Sequence, residues 1–184
     1  MGMQRRYIII YDRATGSPFR TLLSLILFSA FFMIPLSSAF RVSQTPERTM
    51  KSGYSSLDGK HSGPAIEEFE KAESMPGVTD RQRAKIHLGK AIANQRDLEM
   101  IHFARPLLLE QSITKAQTTK ELENNERKVS KMIAGDMNKA LTYSQKAGLK
   151  ECSGAITTIK RSLGNTEKDT WQEWLKLSKP CRDS

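Results

Sequence analysis

The chain has 184 residues, 38% of them hydrophobic and 27% charged, with a formal net charge of +9. That length holds one domain, or one with a tail, and the composition excludes a collagen, a low-complexity chain and a multi-span membrane protein. Two cysteines exclude a four-thiolate metal centre and a disulfide-dense miniprotein.

The first element reads as an export segment. Arg5, Arg6, Arg13 and Arg20 stand against one acid, Asp12, and no charge occurs from Thr21 to Phe40. Residues 22–34 are almost wholly apolar. Pro35 ends that run, and Ser37 and Ala39 supply small residues where a signal peptidase reads them. A basic region, an apolar core and a small-residue exit make residues 1–39 a secretory signal peptide, cleaved between Ala39 and Phe40. The alternative is an uncleaved anchor, since residues 22–40 are uncharged and a spanning helix needs about 17–25 residues. The basic flank keeps the N-terminus cytoplasmic in both cases, so the remainder is translocated. The expected location is periplasmic or secreted, or membrane-anchored with the C-terminus outside. Membrane contact is then transient, through the signal segment.

Residues 40–62 are rich in Ser, Thr, Gly and Pro and read as a flexible tether. Everything after them is predicted to be helical, because no alternating β-branched run is long enough for a strand. A helix over 64–74 starts at Pro64, shows Ile66, Phe69 and Ala72 on one face, and stops at Met75-Pro76-Gly77. A second helix over 80–94 opens with a Thr79/Gln82 capping box and buries Ala84, Leu88, Ala91 and Ile92. A third starts near Asp97 with Leu98, Ile101 and residues 107–109, and Pro106 is expected to kink or break it. Residues 113–128 are polar enough to be an exposed helix or a mobile connector. The apolar stripe resumes with Val129, Met132, Ile133, Met137 and Ala140, and Gly148 is a C-cap.

Residues 149–184 read as a helical hairpin. Ala155, Ile156, Ile159 and Leu163 share one face, Gly164-Asn165 turns the chain, and Thr166 with Asp169 is expected to cap a helix bearing Trp171, Trp174 and Leu175. Cys152 begins one arm and Cys181 ends the other. Antiparallel arms bring those ends together, and an exported chain folds under oxidising conditions, so a Cys152–Cys181 disulfide is predicted. The whole is an all-α protein, an irregular helical-hairpin array or bundle of about five to six helices after an N-terminal signal helix. Its parts are the signal 1–39, the tether 40–62, a repeat-like body 63–148 and the hairpin 149–184.

Ala65, Phe69, Ala72 and Pro76 resemble the small, aromatic, small and proline positions of a tetratricopeptide-repeat second helix, with the proline one residue early. Leu88-Gly89 is similar to the start of a first helix, and Ala140 and Ala147 echo the second-helix pattern. The resemblance covers about residues 62–148. It implies stacked hairpins that set a small residue of one helix against a bulky residue of its neighbour, and a protein-binding scaffold without catalytic residues.

Glu99 and His102 lie one helical turn apart, a spacing that di-iron bundles use in pairs. They are the candidates for a metal protein or small hydrolase, and His87 and His61 are the remaining nitrogen donors. No H-E-x-x-H, G-x-S-x-G or phosphate-binding glycine loop is present. No cofactor is expected. Trp171 and Trp174 are candidates for partner contact, as a stacking platform, against the simpler reading that they are core. Residues 112–150 carry eight basic and four acidic side chains. That excess points to a possible anionic surface as partner, while the interspersed acids argue for a merely solvated face. Export argues against nucleic acid. The expected function is an exported, non-catalytic helical scaffold or adaptor for a protein or peptide partner. The alternatives are a membrane-anchored accessory subunit and the Glu99/His102 enzyme.

Overall fold

The computed structural model describes residues 44–184; the signal segment, the Ala39–Phe40 junction and the start of the tether lie outside the described residues. The described residues fold as seven helices without a strand. The all-α reading therefore holds, with helix boundaries that differ from the expected ones in four places.

The first difference is the tether. Residues Pro46–Asp58 form α1. Thr45 accepts a hydrogen bond from the Arg48 N–H, and Pro46 sits in the first turn. Met50, Tyr54 and Leu57, spaced by four and three, are all buried. The Ser and Gly content hid this stripe, and one of those glycines is structural. A Cβ on Gly53 would lie 2.8 Å from the Phe69 ring. Helix α2, Ser62–Glu73, carries that Phe69 together with Ala65, Ile66 and Ala72, all buried. Phe69 meets Tyr54 edge-on at 5.0 Å, so α1 and α2 pack as a hairpin around one aromatic pair.

The second difference is that the two helices expected over 80–94 and from 97 are one. Helix α3 runs Asp80–Gln111, 32 residues, and passes through Pro106. Gln95-Arg96-Asp97 contains no breaker, and Pro106 lies on the exposed side of the helix, which continues through it. The Thr79/Gln82 capping box is present in both directions. Ala84, Leu88, Ala91 and Ile92 are all fully buried.

The third difference is the polar stretch 113–128. It is the first half of α4, Lys115–Lys146. The pairs Ser112–Thr118, Arg105–Glu126 and His87–Asp136 place α4 antiparallel to α3 along nearly its whole length. Gly148 ends the helix as expected: its φ is +69°, and Leu149 N–H returns to the Ser144 carbonyl at 2.9 Å.

The C-terminal hairpin is α5, Lys150–Arg161, then α6, Thr170–Leu177, and a last turn α7, Lys179–Arg182. The Cys152 and Cys181 sulfurs are 2.03 Å apart, the bonded pair the hairpin geometry predicted. The fourth difference is the start of α6. Thr166 does not cap it; Asp169, at φ +68°, occupies that position, and the cap comes from elsewhere in the fold. The C-terminal segment also ties the body together. Lys85 Nζ donates to the carbonyls of Arg182 and Ser184, at 3.2 and 2.6 Å, and the Lys85 carbonyl accepts from Tyr54 Oη at 2.7 Å. Burial pushes the Tyr54 phenol well above its ordinary range, against the opposing pull of Arg182.

Candidate functional site

The chemistry-bearing residues converge along the α3–α4 pair. They form a carboxylate that caps another helix, a buried histidine cluster and an open cleft at the far end.

Glu99 is on the α3 face that meets α6. Its Oε1 accepts from the Trp171 N–H at 2.8 Å and from Gln95 Nε2 at 3.2 Å, and its Oε2 accepts from the Asp169 N–H at 2.9 Å. The first N–H groups of any helix lack internal partners, and here a carboxylate from a different helix supplies them. Burial is the largest influence on Glu99 and, with the nearby Asp169 charge, lifts its pKa; the three hydrogen bonds offset that only in part. Both oxygens are thus taken up by the fold. The role of Glu99 as a cap has no local signature, because it reaches across 70 residues. His102, one turn on, turns to α4, where its Nε2 lies 3.8 Å from Glu126 Oε1. Arg105 holds the same Glu126, with Nη1 3.3 Å from each carboxylate oxygen. Among the described residues no cluster of three metal-ligating side chains forms.

Trp171 and Trp174 are 6% and 1% exposed. This corrects their reading as partner-contact residues, because neither ring offers a face to solvent. Trp174 donates its indole N–H to Ser162 Oγ at 2.8 Å, and Arg96 covers the Trp171 ring. The hydrophobic surface of both rings is closed inside the α3–α5–α6 junction.

His87, in sequence only a remaining nitrogen donor, is buried. Its Nδ1 lies 3.0 Å from Asp136 Oδ1 on α4, its Nε2 lies 3.4 Å from Glu73 Oε1 on α2, and its ring stacks on Tyr143. Lys90 pairs with the same Glu73 at 3.0 Å. The cluster joins three helices. Its only sequence signal was a histidine amid an apolar face, and its partners lie 14 residues before and 49 after it. Asp97 is a half-buried carboxylate on α3. It accepts from the Ser62 hydroxyl, and burial lifts its pKa against the pull of that bond and of Arg96.

Beyond residue 99 the interior thins. A cleft of about 410 Å³ opens between α3, α4 and the Gly164 turn, lined by Leu98, His102, Glu126, Arg127 and Thr166 among others. On the opposite side of α3, away from α4, Met100, Phe103 and Leu107 are 58%, 67% and 59% exposed, and Ile113 follows in the turn fully exposed. Their spacing of three and four puts the helical members on one stripe. Lys168 lies over the Phe103 ring at 5.8 Å and marks one rim. No protein-family model, curated protein or solved structure matches the chain.

Proposed function

We propose that the protein is an exported, non-catalytic helical scaffold that binds a partner protein through the outer face of α3. The observation that carries this reading is the Met100–Phe103–Leu107 stripe. Three large apolar side chains lie in line on a surface that no described helix covers. Contiguous apolar surface of this kind is characteristic of interfaces, where Phe and Met are enriched over the rest of the surface. The partner chemistry that fits is an amphipathic helix presenting its own apolar stripe alongside.

Two further features support the scaffold. Phe69 is seated between Gly53 of α1 and Gly89 of α3; a Cβ on Gly89 would lie 2.3 Å from the ring. That is small-against-bulky packing of the kind the tetratricopeptide resemblance implies, with α1–α2 as a repeat-like hairpin and α3 opening the next. The Cys152–Cys181 bond supports passage through an oxidising compartment. Export itself rests on the basic leader and the apolar run 22–34. The anchored form of the same scaffold is favoured by the length of the uncharged stretch 22–40. An N-terminus at Phe40 in the exported protein establishes the soluble form; an intact leader in the membrane fraction establishes the other.

The binding test is a photo-crosslinking residue at Leu107, with a matched one at exposed Lys51 on α1. The scaffold reading expects one specific adduct from Leu107, lost in Phe103→Asp. Equal labelling from both positions, or an adduct indifferent to Phe103→Asp, overturns it.

A further inference from the structure

Helix α4 sorts its charges by side, which its sequence conceals. It holds four acids, Glu121, Glu123, Glu126 and Asp136, scattered among its cations. In the fold three of these turn towards α3: Glu123 and Glu126 meet Arg105 at 3.5 and 3.3 Å, and Asp136 meets His87 at 3.0 Å. The cations Lys120, Arg127, Lys128, Lys131, Lys139 and Lys146 are all exposed. At about 100° per residue they fall within roughly a third of the helix circumference, centred opposite the buried Ile133, Met137 and Ala140. Among the described residues no carboxylate pairs with any of the six. Glu121 is the one acid left near this side, hydrogen-bonded by Gln117. The result is a basic strip about 39 Å long at 1.5 Å per residue.

We infer that this strip is a docking surface for an anionic lipid bilayer, laid along the outer face of α4 while the apolar stripe of α3 faces the other way. The make-up of the strip selects the partner. Five of the six cations are lysines, point charges without the planar fork that reads a fixed phosphate or carboxylate. Between them lie Asn124, Gly135, Asn138 and Thr142, with only a half-buried Met132, so there is no anchor for a protein hot spot. The one aromatic of α4, Tyr143, stacks on His87 and is flanked by Arg83 and Lys146, so its ring is already engaged rather than offered to a nucleobase. What remains is diffuse attraction along a straight line, which suits a surface of mobile anionic headgroups. The preference for lipid over nucleic-acid phosphate also rests on the export reading, since both the cleaved and the anchored form carry the body past a membrane.

The test uses the protein as isolated, with vesicles of phosphatidylcholine alone and of phosphatidylcholine with phosphatidylglycerol. The purified protein is expected to partition onto the anionic vesicles and to leave them as salt is raised, because the Debye length shrinks to about 3 Å at 1 M. An uncleaved leader, with its own four arginines, contributes equally to the wild type and to the variants below, so the comparison among them isolates the strip. The triple variant Lys120→Gln/Arg127→Gln/Lys131→Gln should partition about a hundredfold less, at roughly fivefold per cation. A control with the same loss of charge elsewhere, Lys51→Gln/Lys71→Gln/Lys176→Gln, should partition as the wild type does. Equal loss in both triples, equal binding to neutral vesicles, or tighter retention on duplex DNA or polyglutamate than on the vesicles overturns the proposal. Phe103→Asp is expected to leave vesicle binding unchanged, so failure of the protein-binding reading and failure of this one are separable.

Discussion

The two ends of the α3–α4 pair differ in almost every respect. At the end near α1, α2 and α7, α3 is buried on nearly all sides: Ala84 to Gln95 holds eleven buried residues, interrupted at Lys90 alone. At the far end, from Met100 to Lys128, Leu122 is the single buried side chain. The near end is held by hydrophobic packing, a disulfide and the buried hydrogen bonds of His87, Lys85 and Tyr54. The far end is a two-helix projection held by Arg105, Glu123, Glu126 and the turn contact Ser112–Thr118. The contrast teaches where stability and surface function divide. Burial concentrates the folding free energy at one end, and the other is left to present side chains outward.

The strongest way to break the contrast is to attack the near end at Phe69. Phe69→Ala removes the ring from between two glycines and should cost about 3–5 kcal/mol in chemical denaturation; a loss below about 1 kcal/mol would mean that the ring is not central. Replacing both cysteines by serine should cost about 2–5 kcal/mol, measured against the oxidised wild type. Gly89→Ala should cost about 1–3 kcal/mol by overpacking against Phe69, and Gly89→Ala with Phe69→Leu should recover part of that loss.

Glu99 sits at the border between the two ends. Glu99→Gln should destabilise by about 1–3 kcal/mol, because the two carboxyl oxygens accept from the Asp169 and Trp171 N–H groups and an amide offers only one oxygen, leaving an N–H unpaired. The sign with pH follows from the lifted pKa. The folded state holds the Glu99 proton more tightly than the unfolded chain, so this contribution is complete below the ordinary carboxylate pKa and is lost as pH rises through the lifted value. The advantage of wild type over Glu99→Gln should therefore be largest in acid and shrink towards neutrality. The smallest effect is expected at the far end. Phe103→Ser with Leu107→Ser should change stability by no more than about 0.5 kcal/mol while removing partner capture. A large loss of stability there would show that the stripe is part of the core.

Much of the near end was legible before folding. The Thr79/Gln82 box, the Gly148 stop and the face Ala84, Leu88, Ala91, Ile92 each rest on residues within one or two turns of one another. The disulfide was legible too, because two cysteines and one turn leave a hairpin a single way to close. Helix α1 was missed although its stripe was present. Gly53 and the serines around it resemble a linker until the Phe69 ring gives the glycine a reason to be small. Trp171 and Trp174 looked available because a helix of that length has two faces, and Arg96 and Ser162 cover them from afar.

Local pattern was enough for the helical class, the Thr79/Gln82 box, the Gly148 stop and the cysteine pair, since those depend on neighbours in the chain or on one closed turn. Tertiary packing alone decided three things: that Glu99 caps α6, that His87 joins Glu73 to Asp136, and that three of the four acids of α4 pair with α3 while its cations stay unpaired. Each of these is a charge or hydrogen bond satisfied across 14 to 72 residues. Such partners are chosen by the energetic cost of burying a polar group alone, which is set only when the helices meet.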